Sequence, residues 1–395
     1  MRPLAKTIVE FGGAAQTSRR NFLRLAACAV PAIPLLAQAP GVDGAYFVYI
    51  GTYTGPESKG IYVLRFHPST GSLTEPVLAA ETPNPTFLTV HPNGKFVFAV
   101  DEGDRGSVRS YAIESGDGRL RALDQVPTQG GGPCYVSLDR AGHTLFAANY
   151  NTGSIAAFPV KEDGRLGDAS AFVQHRGSGA DPARQAGPHA HWIEPSPDNR
   201  FVLACDLGLD QILVYRFDAN KGTLTPNAPP FLKMTSGSGP RHAAFTPDGR
   251  FVYLASEMAS TVTAMAYDAK AGALRQLQIV SMLPAGFHGE NTAAEIAVDA
   301  AGRFVYASNR GHDSIAVFSI DHATGKLTPV DRTPTQGREP RNFRIDPTGR
   351  YLFAANQNSG DVVVFHVDAK SGRLTPAGKK FAVDKAVCVA FTPAI

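Results

Sequence analysis

The sequence predicts an all-β fold: a seven-bladed β-propeller of four-stranded antiparallel blades, closed by pairing of its N- and C-terminal strands. Three observations carry that expectation. A Gly-x-Leu triplet recurs at Gly71, Gly118, Gly164, Gly222, Gly272, Gly325 and Gly372, at successive spacings of 47, 46, 58, 50, 53 and 47 residues. Each triplet ends the same unit, an alternating apolar strand followed by a polar turn, as in IYVLRFHPSTGSL, ILVYRFDANKGTL, IAVFSIDHATGKL and VVVFHVDAKSGRL. The two chain ends hold complementary parts of the first of these repeats. Length alone would suggest two or three domains. A repeat of about fifty residues overrides that, because one ring of blades is one domain.

The elements follow in chain order. Residues 1–39 read as a twin-arginine (Tat-type) export signal: Ser18-Arg19-Arg20-Asn21-Phe22-Leu23-Arg24, an apolar Leu25 to Leu36, then Ala37-Gln38-Ala39. The expected location is therefore periplasmic or secreted. Residues 40–395 form the expected propeller domain. Within each repeat, a turn such as Pro92-Asn93-Gly94-Lys95, Pro247-Asp248-Gly249-Arg250 or Pro347-Thr348-Gly349-Arg350 introduces a strand before the apolar one. Upstream lies a short first strand, as at Tyr135–Leu138, Ala243–Thr246 and Asn342–Asp346, and downstream of Gly-x-Leu a variable outer strand. Ala45–Gly51 matches second strands such as Phe96–Asp101, so the body starts one strand late. Lys385–Pro393 (KAVCVAFTP) matches first strands such as Arg241–Pro247 (RHAAFTP) and supplies the missing one.

Composition excludes some partners. Five basic residues against Glu10 put +4 in the first 39 residues, so the formal +3 of the chain leaves the remainder at −1. A near-neutral body has no electrostatic footprint for nucleic acid, and no stretch after the signal is long and apolar enough to span a bilayer as a helix. Cys134, Cys205 and Cys388 lie on separate repeats and read as buried thiols, not a disulfide framework or a zinc motif.

A hairpin joins the first and second strands of a blade, so the start of one and the end of the other share one face of the ring. Those positions gather the ionisable residues. Starts of first strands offer His189, His191, Arg241, His242, Glu295 and Arg341. Ends of second strands offer Asp101, Glu102, Asn149, Tyr150, Asp206, Glu257, Asn309, Arg310, Asn356 and Gln357. Structural roles in turns and blade-to-blade ion pairs compete with function at each. Departure from the repeat singles out Glu257, Arg310 and the Pro188-His189-Ala190-His191 stretch. Two histidines two residues apart on a strand would share a face. With no third ligand assignable, no metal or other cofactor is expected.

The stretches GPHAHWIEPSPDNRFVLACDLGLDQILVY, GPRHAAFTPDGRFVYLASEM, ASNRGHDSIAVF and REPRNFRIDPTGRYLFAANQ resemble the lactonase family of seven-bladed propellers, over about residues 45–393. That family includes bacterial 6-phosphogluconolactonase and carboxy-cis,cis-muconate lactonising enzyme. The resemblance implies a lactone hydrolase and a catalytic set of a histidine, two arginines and a glutamate. These fall on His189 or His191, Arg241, Arg310 and Glu257. The expected mechanism has Arg241 and Arg310 holding a carboxylate, a phosphate or the developing oxyanion. A histidine takes the water proton with Glu257 as its orienter. His242, Asn149, Tyr150, Asp206, Asn309, Arg341, Asn356 and Gln357 are the candidate substrate-binding residues, for a small lactone or an anionic organic acid. A Tat signal is at odds with a phosphorylated substrate made in the cytoplasm. The alternatives are a lactonising enzyme, or an exported non-catalytic binding propeller.

Overall fold

Strands buried along nearly their whole length near the middle of each sheet and largely exposed at its outer edge build the blades of the computed structural model, which describes residues 44–394. The export signal lies outside the described residues. Among them there is no helix, and seven sheets hold the strands. Blade one combines Ala386–Pro393 with Tyr46–Thr52, Gly60–His67 and the short Ser72–Leu73 and Val77–Glu81. Blades two to seven each run four antiparallel strands in chain order, from Leu88–Val90 in blade two to Leu374–Ala382 in blade seven. The first strands of adjacent blades touch all the way round, which closes the ring about a central channel.

The ends complete each other as the sequence predicts. Tyr46 pairs with Pro393 and the register continues to Thr52 opposite Ala386. Ala394 N–H donates to the Ala45 carbonyl at 2.8 Å, extending the clasp. A closed ring keeps the first-strand edges inside the channel, where they cannot template aggregation.

The recurring glycine is a blade-to-blade lock. Gly325 of blade six has φ +71°, and a Cβ there would sit 2.3 Å from the Phe251 ring of blade five. Gly118 of blade two has φ +76° and would meet the Phe47 ring of blade one at 2.7 Å. Six of the seven glycines thus admit an aromatic ring at the start of the preceding blade's second strand, Gly222 meeting Ser170 and Thr144 instead, and all seven have the positive φ that favours glycine. The Tyr49, Tyr253 and Tyr306 hydroxyls donate across the same seams, to the carbonyls of Gly118, Gly325 and Gly372 at 2.7, 3.0 and 3.0 Å. The triplet therefore marks inter-blade packing rather than a turn alone.

The first strands begin earlier than the alternating pattern indicates. They run Pro133–Leu138, Pro240–Phe245 and Pro340–Ile345. The cause is a β-bulge near the start of the strand, which breaks the period-two pattern there.

Candidate active site at the bulged mouth of the channel

The bulges place the chemistry. Between the pairs Pro240–Ser256 and His242–Ala255, Arg241 has no partner. Cys134, His191, Arg341 and Val387 are skipped in the same way on their own first strands, and Ala294 and Glu295 together in blade six. A bulge kinks the strand and re-aims the extra side chain. It recurs in six of the seven blades, all but the second, whose first strand Leu88–Val90 pairs in unbroken register. Cys134, Arg241, Arg341 and Val387 line one small cavity with Thr86, Glu102, His242 and Asn342.

Glu257 sits beside it, in the turn after Phe251–Ser256, and is 6% exposed. Its Oε1 accepts from Arg184 Nη2 at 2.7 Å. Its Oε2 lies 3.0 Å from both Arg241 Nε and Arg310 Nη2. The Arg241 contact is an ion pair outside hydrogen-bond geometry, since Nε has no hydrogen-bond partner. Backbone carbonyls fix the two guanidiniums: Arg241 Nη1 donates to Ala294 O at 2.7 Å, and Arg310 Nη2 to Ala293 O at 3.1 Å. Burial works to raise the Glu257 pKa, but Arg310 and Arg241 outweigh it and hold the carboxyl well below the usual range. Burial, then the Arg310 charge, lowers Arg241 to about 10, so it stays charged at neutral pH. One carboxylate thus faces three guanidiniums, a site with surplus positive charge that suits an anion.

Three histidines ring this cluster, and the two of the PHAH stretch do not share a strand face. His189 precedes the strand Ala190–Pro195, whereas His191 is its bulge residue. His189 stacks on the Tyr150 ring at 4.5 Å, and its Nδ1 lies 2.8 Å from the Tyr150 carbonyl. A carbonyl only accepts, so Nδ1 carries the proton. His191 Nδ1 lies 3.6 Å from the Cys134 thiol, and its ring meets that of His242 at 5.0 Å. Burial, and then the Arg241 charge, hold both His191 and His242 well below the ordinary imidazole value. Glu257 orients neither PHAH histidine by a hydrogen bond, because its oxygens are taken by arginines. No three His, Cys, Asp or Glu side chains among the described residues come together as metal ligands.

Of the other expected residues, His242, Arg341 and Tyr150 join this region. Arg341 Nη2 donates to the Tyr53 hydroxyl at 3.0 Å, which donates to Glu102 at 2.9 Å. Tyr150 OH accepts from Arg184 at 3.3 Å. Asn149, Asp206, Asn309 and Asn356 are not brought to the cluster. All four are fully buried and spend their side chains on turns. Asn149 donates to Ser154 at 3.0 Å, Asn309 to Ser314 at 3.2 Å and Asn356 to Asp361 at 2.9 Å, each across the next hairpin. Asp206 accepts from the His189 and Leu209 amides at 2.8 and 3.0 Å, and its other oxygen lies 2.6 Å from His175 Nδ1. The Gln357 backbone N–H donates to the Glu339 carbonyl at 3.0 Å, and its buried side-chain Oε1 has no hydrogen-bond partner among the described residues.

Sequence reasoning missed Arg184. It lies on the segment between Ala171–Gln174 and Ala190–Pro195, inside the longest spacing in the chain, 58 residues. That excess length was the available signal. The buried Gln185 pins the segment, its amide donating to Leu207 O at 2.7 Å and to Asp210 at 2.9 Å.

Fold and site together define a seven-bladed propeller with a buried, arginine-rich cluster beside the bulged starts of its first strands. The chain belongs to the family described as Lactonase, 7-bladed beta-propeller, whose model matches residues 47–391. Among curated relatives, it is 38% identical over 299 residues to 6-phosphogluconolactonase of Bacillus subtilis strain 168, covering 75% of this chain and 84% of the relative. It is 32% identical over 309 residues to the 6-phosphogluconolactonase of Formosa agariphila, covering 75% and 86%. Among solved structures, the periplasmic gluconolactonase of Pseudomonas aeruginosa superposes with a TM-score of 0.84 at 37% identity, covering 89% of this chain and 100% of that one.

Proposed function

We propose that this protein hydrolyses a sugar-acid or related organic-acid lactone at the Glu257 mouth, after export to the periplasm. The observation that carries the reading is the convergence of Arg184, Arg241 and Arg310 on one buried carboxylate, with histidines alongside. Ester-type hydrolysis needs a preorganised positive environment for the oxyanion and a group that takes a proton from water. The guanidiniums are positioned by carbonyls and by Glu257, so little reorganisation accompanies charge development. Glu257, ionised and saturated, acts as the anchor of the arginines rather than as the base. The base comes from His189, His191 or His242, which surround the cluster. Membership of the lactonase family and the names of the relatives support lactone chemistry. The Tat-type signal and the periplasmic neighbour support an unphosphorylated aldonolactone over a phosphorylated one.

The test is proton release from a panel holding gluconolactone, its 6-phosphate and simpler lactones, with and without chelator, against spontaneous hydrolysis. Turnover well above background, fastest on an unphosphorylated sugar lactone, is expected. Absence of turnover on every lactone would sink the reading; faster turnover of the phosphate ester would sink its substrate and export part.

A further inference from the structure

Among the described residues, two buried histidines are backed by carboxylates within 3.0 Å. In the first, His175 Nδ1 lies 2.6 Å from Asp206, and its Nε2 is occupied by the Tyr215 hydroxyl at 3.0 Å. Both ring nitrogens are spent, so that pair is structural. In the second, His242 Nδ1 lies 3.0 Å from Glu295 Oε1. Its Nε2 is buried and has no partner among the described residues. Glu295 is fixed in turn by Asn342 Nδ2 on Oε2 and by the Ile296 amide on Oε1 at 3.0 Å. The edges of Tyr135, Phe87 and His191 pack about the imidazole at 4.9, 5.8 and 5.0 Å. The polar opening left to the ring is the small cavity it lines with Arg241, Arg341, Cys134 and Glu102, which has room for about one water molecule.

We propose that His242 is the general base of this site and that Glu295 is its positioning residue, the cavity being the station of the hydrolytic water. This rests on the lactone-hydrolase reading above and names the group that reading left among three. Once Glu295 is ionised, as pH rises past about 7, its carboxylate accepts from Nδ1–H and so leaves the Nε2 lone pair facing the water. Neither PHAH histidine has a carboxylate behind it: the Tyr150 carbonyl gives His189 the same tautomer but no countercharge for the imidazolium, and His191 is backed by a thiol. The water oxygen bonds to the lactone carbonyl carbon as its proton passes to His242 Nε2. The oxyanion formed lies against the arginines. Its collapse breaks the ring carbon–oxygen bond, and the departing alkoxide takes the proton back from Nε2. The hydroxy acid released gives its carboxyl proton to solvent.

The experiment is steady-state kinetics on the full chain, comparing His242→Asn and His242→Gln with His189→Asn and His191→Asn, beside histidine nitrogen NMR of the wild type. Loss of a general base lowers kcat about 10²- to 10⁴-fold. Both His242 variants are expected in that range with KM held within about threefold, and the PHAH variants well above it. The His242 spectrum, assigned by its loss in whichever variant folds, should show Nε2 unprotonated and Nδ1 protonated. Glu295→Gln should mix the two tautomers, and Glu295→Asp should restore part of the preference. Unchanged kcat in a folded His242 variant, or a proton resident on Nε2, overturns the assignment alone. A wild type inactive on every lactone overturns the hydrolase reading and this assignment with it.

Discussion

At the residue scale, the proposed function rests on a charge imbalance held in a buried place. Among the described residues Glu257 is the sole carboxylate in contact with Arg184, Arg241 and Arg310, and removing it leaves those charges uncompensated. Breaking a buried ion pair by deleting one partner costs about 3–5 kcal/mol. Glu257→Gln is therefore expected to lower unfolding free energy by about that amount, read by denaturant titration, while also losing activity. Glu295 gives a prediction in pH. Burial raises its folded pKa to about 7, from an ordinary 4.5. The folded state keeps a proton that the unfolded state loses, so this group's contribution is full below pH 4.5 and is lost as pH rises through 7. The slope is about −1.4 kcal/mol per pH unit within that window. In the difference between wild type and Glu295→Gln, the opposing titrations of His191 and His242 largely cancel. The difference should show that slope between pH 4.5 and 7; a flat difference contradicts it. Of the candidate residues, Glu257, Arg310 and the PHAH histidines stood out because each departs from its repeat, and Arg241 came in through the family resemblance. Arg184 was not, because a lone arginine on an inserted segment carries no pattern. Asn149, Asn309 and Asn356 looked like site residues for the opposite reason: a short amide that ends a strand beside a mouth is also what a hairpin needs to tie itself down.

At the element scale, the bulge decides what faces the channel. Strand alternation, read from sequence, would have sent His189 and His191 the same way. The extra residue on the first strand separates them and turns His191 inward. Periodicity detects strands but not a one-residue insertion within them, so this was beyond sequence reading. The glycine of Gly-x-Leu was legible as a repeat marker but not as a lock, because its partner ring lies on the preceding blade. Gly325→Ala should destabilise the protein by about 1–3 kcal/mol through overpacking against Phe251 and a positive φ. Thermal unfolding checks it; an unchanged Tm would deny the lock.

At the scale of the whole molecule, ring closure is the feature most fully written in the sequence, since both halves of blade one carry the repeat's own pattern. Truncation after Asp384 would remove Ala386–Pro393 and leave Tyr46–Thr52 without its inner partner. Such a chain is expected to aggregate through the opened edge, as read by size-exclusion chromatography. A monodisperse truncated protein of unchanged Tm would show that the clasp is dispensable. Closure also bears on chemistry, because Tyr53, just past the clasped strand, links Arg341 of blade seven to Glu102 of blade two. Only a shut ring brings those three together.

The central claim is that the arginines gathered on Glu257 stabilise the charge of lactone hydrolysis. Its most direct test is kcat/KM for the best lactone in wild type and Arg310→Ala, each measured by proton release. Loss of one oxyanion-stabilising donor costs about 10²- to 10³-fold. A fall of that size, with the fold intact, is the predicted result; an Arg310→Ala enzyme as fast as wild type would contradict it.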